Sequence, residues 1–445
     1  MDDAVDTIAA IATPPGRGGI GIIRVSGPRT PDIAQAMTGQ LPKPRNATFA
    51  DFLNDKQQPI DAGIALYFPA PHSFTGEHIL ELQGHGGPVV MDMLLQRVVE
   101  LGARPARPGE FSERAFLNNK IDLVQAEAIA DLIDSASTQA ARGAMRSLQG
   151  EFSQQINQLV DELTYLRAYI EAGIDFPDEE IDLLADGQVA TRVHKLRESL
   201  DMLLDAAQQG ALLKEGMQLV IIGPPNVGKS SLLNCLTGRD TAIVTDIAGT
   251  TRDIVRDSVH LDGMPLHITD TAGLRDTDDP VEQEGIRRAR QALETADAVL
   301  FIMDDRDTHP PAALADPALD HVQQKLWLRN KCDLSGHGEG AVDESTLRLS
   351  AKTGAGIELL KTRLKAMMGF QSSDSGMLTA RRRHLVALEI VSEALETADK
   401  HIQNSQGELL AEELRQAQQA LGEITGQFTA DDLLGEIFSA FCIGK

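Results

Sequence analysis

The chain has 445 residues, 42% of them apolar, which is material for roughly two to four domains with sizeable cores and excludes a mainly disordered chain. Asp and Glu number 66 against 41 Lys and Arg, a net charge of −25, so the surface as a whole repels nucleic-acid phosphate and any RNA role needs a local basic patch or a partner that brings the charge. Aromatics are 4%, with one Trp, which argues against broad base-stacking platforms.

Met1 to Ala12 carries acids where a secretory signal would be basic, and no apolar run approaches the ~20 residues that span a bilayer, so a cytoplasmic protein without a membrane segment is expected. Residues 1–118 are rich in Gly, Pro and short β-branched runs. Gly19–Val25, Ile60–Tyr67 and His78–Gln83 read as strands and Pro88–Leu101 as a helix, a mixed α/β pattern. His72, His78 and His85 share no metal-ligand spacing and read as solvated loop residues. Residues 119–215 turn helical: Met145, Leu148, Phe152, Ile156, Leu159, Leu163, Leu166 and Ile170 form one stripe on a long helix, and a second helix runs from about Val189 to Gln209. Residues 216–377 alternate strand and helix, with strands at Gln218–Ile222, Val255–Leu261, Leu266–Asp270, Ala298–Asp304, Lys325–Arg329 and Thr346–Ser350, the pattern of a wound, mostly parallel sheet. From 378 to 445 helices return, with one stripe from Leu385 to Ile402 and another from Leu410 to Ile424. The economical organisation is one helical domain with the α/β domain inserted, Ser372–Gly376 serving as the return linker; two separate helical domains are the alternative.

Within the α/β segment, Gly223-Pro-Pro-Asn-Val-Gly-Lys-Ser230 fits G-x-x-x-x-G-K-[ST] between a strand and a helix starting near Ser231. Its glycines let backbone N–H groups curl round phosphates, Lys229 reaches the β and γ phosphates, and Ser230 offers its hydroxyl to Mg²⁺. Thr251, in Gly249-Thr-Thr-Arg-Asp253, sits in a loop that can close on the metal. Asp270-Thr-Ala-Gly273 ends a strand, its Asp placed to hold Mg²⁺ through water and Gly273 to give an N–H to the γ-phosphate. Asn330-Lys-Cys-Asp333 provides a carboxylate that accepts from guanine N1–H and N2–H₂, and Ser350-Ala-Lys352 a backbone N–H for guanine O6, which selects GTP over ATP. Cys332 is then structural rather than reactive.

Leu274 stands where many GTPases place a water-orienting Gln, so hydrolysis needs another group, and Arg275, Asp276, Glu282 and Glu284 follow it. Asn226, inside the phosphate loop, has an amide oxygen that can ligate a monovalent cation beside the phosphates; it also suits a plain turn. The three cysteines, Cys235, Cys332 and Cys442, fit neither a zinc site nor a disulfide framework. Cys442-Ile-Gly-Lys445 departs from a prenylation box, which leaves a thiol delivered to a site, a tail docked on the first domain, or a disordered end.

Taken with Thr13-Pro-Pro-Gly-Arg-Gly-Gly19, Glu81-Leu-Gln-Gly-His-Gly-Gly87, Arg107-Pro-Gly-Glu-Phe-Ser-Glu-Arg-Ala-Phe116 and the terminal Phe441-Cys-Ile-Gly-Lys445, the nucleotide motifs make the whole chain resemble the tRNA modification GTPase family MnmE, also called TrmE. The resemblance implies an N-terminal α/β folate-binding-like domain that also dimerises, a helical domain, and an inserted Ras-like P-loop GTPase domain. It implies GTP contacts from Gly223, Asn226, Val227, Gly228, Lys229, Ser230, Ser231, Thr245, Asp246, Ile247, Ala248, Gly249, Thr250 and Thr251. Further contacts are implied from Asp270, Thr271, Ala272, Gly273, Asn330, Lys331, Asp333, Ser350, Ala351 and Lys352. Mg²⁺ falls to Ser230 and Thr251, K⁺ to Asn226, Thr245, Ile247 and Thr250, and water alignment to Glu282. Arg24, Glu81, Lys120 and Lys445 match the family's contacts to a methylene- or formyl-tetrahydrofolate, and Cys442 matters for modification. The implied assembly is a homodimer joined by the flavoprotein MnmG in a heterotetramer, which attaches an aminomethyl or carboxymethylaminomethyl group to C5 of wobble uridine 34 in tRNA. The rival reading is a ribosome-assembly GTPase acting as an RNA-binding switch; the acidic helices at the end of the chain count against it. A second rival is a folate-dependent aminomethyl transferase that GTP only regulates.

Overall fold

The computed structural model describes residues 6–135, 137–175, 187–236, 257–261, 264–271, 293, 296–307, 319, 322, 324–367, 378–428, 431–439, 441 and 444. The chain divides into two compact units, one of residues 1–130, 147–196 and 390–445, the other of residues 131–146 and 197–389.

The first unit begins with a six-stranded sheet: β1 (Ile8–Ile11), β2 (Gly21–Ser26), β3 (Thr48–Leu53), β4 (Pro59–Phe68), β5 (Ile79–Gly84) and β6 (Arg104–Pro105), in the order β3-β4-β5-β2-β1-β6. All neighbours are antiparallel except β1 and β6. Helices α1 (Thr30–Thr38) and α2 (Pro88–Glu100) both start at a proline in the first turn, where the missing N–H costs nothing. They bury Ile33, Met37, Met91, Leu94 and Val98 against Ile23, Val25, Leu80 and Leu82 of the sheet. The strands expected in this region all form within a residue or two of their expected ends, but β1, β3, α1 and α3 (Glu110–Leu117) were not anticipated. His78 is not a solvated loop residue: its Nδ1 lies 2.7 Å from the Tyr67 hydroxyl, and the two rings stack at 5.9 Å.

Helix α4 (Leu123–Ile133) opens with a reciprocal cap. Asp122 Oδ1 accepts from the Gln125 N–H at 2.8 Å while Gln125 Oε1 accepts from the Asp122 N–H at 3.0 Å. The single long helix expected from Met145 to Ile170 is in fact two, α5 (Thr138–Leu148) and α6 (Glu151–Asp175). Gly150 breaks it at φ +89°, in the left-handed region that glycine enters without penalty. Phe152, Ile156, Leu159, Leu163, Leu166 and Ile170 of α6 are buried, while Met145 of α5 is 42% exposed. Further helices are α7 (Gln188–Glu215), α11 (Arg382–Gln403), α12 (Gly407–Thr425) and α13 (Asp431–Ser439). Helix α6 lies along α12, tied where Gln418 accepts from Arg167 at 2.7 Å and donates to Thr164 at 3.0 Å. Ile437, Phe438 and Phe441 pack on Leu123 and Ala126.

The second unit holds a seven-stranded sheet of β7 (Met217–Ile222), β8 (Asp257–Leu261), β9 (Met264–Thr271), β10 (Ala298–Asp304), β11 (Gln324–Asn330), β12 (Gly340–Ala341) and β13 (Thr346–Arg348), in the order β12-β13-β11-β10-β7-β9-β8. Its five middle strands are mutually parallel and only the two edges are antiparallel, as the alternating pattern predicts. Every residue of β10 is buried, the signature of a strand covered on both faces. One face packs Leu219, Ile221, Leu300 and Ile302 against α8 (Lys229–Leu236) and α10 (Ile357–Met367); the other packs Val220, Ile222, Val299 and Phe301 with Leu293, Leu319 and Val322. A single turn, α9 (Cys332–Ser335), follows β11.

Among the described residues no helix is long and apolar enough to cross a membrane. Among those same residues, no group of three His, Cys, Asp or Glu could hold a metal ion.

Candidate functional site

The phosphate loop leaves the buried strand β7 at Gly223 and enters α8 at Lys229, so its backbone N–H groups converge on the positive end of a helix. Asn226 adopts φ +61°, a conformation asparagine tolerates better than most residues. At Gly228 φ is +104°, and a Cβ there would stand 2.4 Å from Asn330 Nδ2. Only glycine lets the loop close this tightly. The Lys229 ammonium lies within the loop and donates to the Gly223 carbonyl at 2.8 Å. Ser230 and Ser231 present exposed side chains in the first turn of α8. Ser230 is therefore open to a metal ion, and the cradle fits a nucleotide's phosphates. Strand register sets Asp270 and Thr271 beside Ile221 and Ile222, so the Asp-x-x-Gly motif begins next to the entrance of this loop.

The base-reading motifs join the same site through one buried side chain. Asn330, 2% exposed, donates from Nδ2 to the Val227 carbonyl at 2.8 Å, while its Oδ1 accepts from the Ala351 N–H at 2.9 Å and the Lys331 N–H at 2.8 Å. One amide thus binds the phosphate loop to both segments expected to read guanine. The Ala351 N–H is engaged by Asn330 and the Ser350 N–H donates to the Ala355 carbonyl at 2.9 Å, so neither is open for the contact to guanine O6 that the sequence led us to expect. Lys331, at φ +67°, reaches back to the Asn226 carbonyl at 2.9 Å and to Asp304 at 3.1 Å. The Arg306 guanidinium, then Lys331, hold the Asp304 carboxyl far below its usual range, so it stays ionised. Asp333 is exposed and accepts from the Ser350 hydroxyl at 2.6 Å, which orients its carboxylate. Lys352 is exposed. Burial pushes the Cys332 thiol up, with Asp333 and Asp305 adding to it, in keeping with a structural thiol. Sequence reasoning missed Asp304 and Asp305; a pair of acids closing an otherwise apolar strand was the available signal.

The first unit brings together a second constellation. Arg24 on β2 and Glu81 on β5 are register partners, and the guanidinium donates twice to Glu81 Oε1, at 3.0 and 2.9 Å. The third arginine nitrogen, Nη1, donates to the Gly444 carbonyl at 3.1 Å, and the guanidinium lies 5.8 Å from the centre of the Phe111 ring. A Cβ on Gly444 would meet the Ile11 carbonyl at 2.6 Å, so the C-terminal segment lies against β1. Of the three readings of that tail, docking on the first domain fits Gly444. Lys120 is exposed, its side chain lying along Gly76.

Thr245, Asp246, Ile247, Ala248, Gly249, Thr250, Thr251, Ala272, Gly273, Glu282, Cys442 and Lys445 lie outside the described residues, as does the Ser372–Gly376 linker. For Asp270 and Thr271 only the backbone is described.

Comparison with known proteins matches both units. A family model described as "GTP-binding protein TrmE N-terminus" matches residues 7–120, and one described as "MnmE helical domain" matches residues 123–442. The tRNA modification GTPase MnmE of Chromohalobacter salexigens is 58% identical over 454 residues, covering 99% of this chain and 98% of that protein. That of Pseudomonas aeruginosa PAO1 is 58% identical over 455 residues, covering 100% of both. Among solved structures, the G domain of the T. maritima FeoB iron transporter aligns at 22% identity and TM-score 0.26, covering 34% of this chain and 96% of that one. With a P-loop tied to the Asn330–Asp333 segment in one unit and full-length identity of 58% to named relatives, the chain belongs to the MnmE family of tRNA modification GTPases.

Proposed function

We propose that the chain is a K⁺-dependent GTPase that dimerises through residues 1–118 and works in the cytoplasm with the flavoprotein MnmG. Together they install an aminomethyl or carboxymethylaminomethyl group at C5 of wobble uridine 34, with a reduced folate as carbon donor. The observation that carries it is the Asn330 tie: one buried amide fastens the phosphate loop to the base-reading segments, as a guanine nucleotide site requires. Residues 216–377 form the GTPase domain, set between helical segments 119–215 and 378–445. The match of one helical family model across residues 123–442, over the strands of the GTPase sheet, supports that insertion.

In this reading Lys229 and the loop N–H groups hold the β and γ phosphates, and Ser230, with Thr251, ligates Mg²⁺. Asn226 offers its amide oxygen to K⁺, with Thr245, Ile247 and Thr250 completing the set. The ion supplies the positive charge that an arginine finger gives in other GTPases. The exposed Asn226 side chain at the lip of the loop fits that role. Glu282 aligns the attacking water. Asp333 and the Ser350–Lys352 segment read guanine.

At the other site Arg24 pairs with the donor's glutamate carboxylate and Glu81 accepts from pterin amino groups, with Lys120 and Lys445 as further contacts. The Gly444 carbonyl on Arg24 supports placing the tail at this site. Cys442 then sits two residues from that contact and can serve the modification.

Steady-state GTP turnover in matched KCl and NaCl tests the cation: turnover should fall at least tenfold in NaCl, and equal rates sink the K⁺ assignment. Mass spectrometry of wobble nucleosides from a deletion strain tests the pathway, and unchanged C5-substituted uridines would overturn it.

A further inference from the structure

Asp305 follows directly on β10, and its carboxylate is fully buried. A buried charge is tolerated only when donors surround it. All those described around Asp305 come from the two segments that carry the base-reading motifs. Oδ1 faces Arg348 Nε at 3.0 Å and Arg329 Nε at 3.1 Å; Oδ2 accepts from the Ser335 hydroxyl and lies 2.8 Å from His337 Nδ1. Its backbone N–H donates to the Asn330 carbonyl at 2.8 Å, and its own carbonyl accepts from Arg329 at 3.4 Å.

These contacts bracket the base site. Arg329 precedes Asn330, Ser335 and His337 follow Asp333, and Arg348 lies two residues before Ser350. Between the two arms of the bracket runs the Ser350–Asp333 hydrogen bond that aims the guanine-reading carboxylate. Although hydrogen bonds from Ser335, His337 and Arg348 oppose it, burial acts strongly on this group; the donors prevail and its carboxyl is held below the usual range.

We propose that Asp305 is a positioning residue for nucleotide specificity: it fixes the segment after Asn330 and the segment before Ser350 against each other, and so sets the aim of Asp333. The inference rests on the proposed guanine-reading role of Asp333. It predicts an effect on base discrimination, whereas a merely structural carboxylate would affect only stability.

The test measures dissociation constants of the full chain for GDP, IDP and inorganic triphosphate. IDP lacks the 2-amino group that Asp333 accepts from, so the IDP-to-GDP ratio reports its aim. Asp305→Asn should lower that ratio ~5–10-fold, the scale of a misaligned hydrogen bond to a charged group, and leave inorganic triphosphate affinity unchanged. An unchanged ratio overturns the inference, even if the melting temperature falls. Should Asp305→Asn fail to fold, the double variant Ser335→Ala with His337→Ala decides. It removes one arm while Arg348 and Arg329 stay on the carboxylate. A ratio lowered in the same direction supports the proposal, and an unchanged one ends it. Asp333→Asn is the independent control and should shift preference from GDP toward XDP. If it does not, the guanine-reading assignment fails, and the inference with it, whatever Asp305→Asn does.

Discussion

The phosphate site and the Arg24 site are built in opposite ways. The first is nearly contiguous: eight residues from Gly223 to Ser230 make the cradle, and local backbone preferences at Asn226 and Gly228 shape it. The second exists only after the sheet and tail have assembled. Arg24 meets Glu81 across 57 residues and Gly444 across 420. A contiguous site carries its chemistry in spacing. A dispersed one carries it in strand register, which a one-residue slip would abolish.

Lys229→Ala should break the first site most severely, lowering kcat/KM for GTP about 10²–10³-fold, the usual loss for a group that meets transition-state charge. Circular dichroism should be unchanged, and a loss under tenfold would remove Lys229 from the phosphate-binding set. Arg24→Ala should leave GTP turnover intact and weaken tritiated reduced-folate binding ~10–30-fold in equilibrium dialysis, because one ionic partner of a half-buried pair is gone. Retained folate affinity would show that the two sites do not divide the work as proposed. Gly150→Ala, which touches no residue assigned to either site, should cost about 1 kcal/mol in urea unfolding, since a Cβ is strained at positive φ, and should change neither ligand.

The smallest effect is on acid stability of the first unit. Glu110 is buried, which would raise its pKa, but hydrogen bonds from Arg104, the Arg107 N–H and Arg114 outweigh this and hold its carboxyl below the ordinary 4.5. A depressed carboxylate contributes fully above its unfolded-state value. That contribution fades as pH falls from about 4.5 toward the lower folded value. The stability difference between the natural chain and Glu110→Gln should therefore shrink on acidification through that window, and a constant difference would reject the assignment.

Much of the second unit was legible because its strands are short apolar runs ended by motif residues. Ala298–Asp304 was placed to the residue, and the Asn330–Asp333 motif marked by its spacing falls at the end of β11 and the turn after it. What escaped was side-chain connectivity. Spacing marks Asn330 as a base reader but cannot show that its amide also holds Val227 and Ala351. Strand β3 escaped because its pattern misleads: Phe49, an apolar residue within the strand, is 77% exposed. The break at Gly150 escaped because the apolar spacing runs on unbroken through it, although the glycine itself was a warning. In the first unit, Arg24 and Glu81 look like unrelated surface charges until β2 and β5 pair.

The Asn330 amide also bears on how spent product leaves. Since a single side chain clasps the cradle and the Ser350–Lys352 segment, displacing Asn330 strips a hydrogen bond from each of them. Leverage on the loop after β11 alone would loosen both ends of the guanosine diphosphate at once.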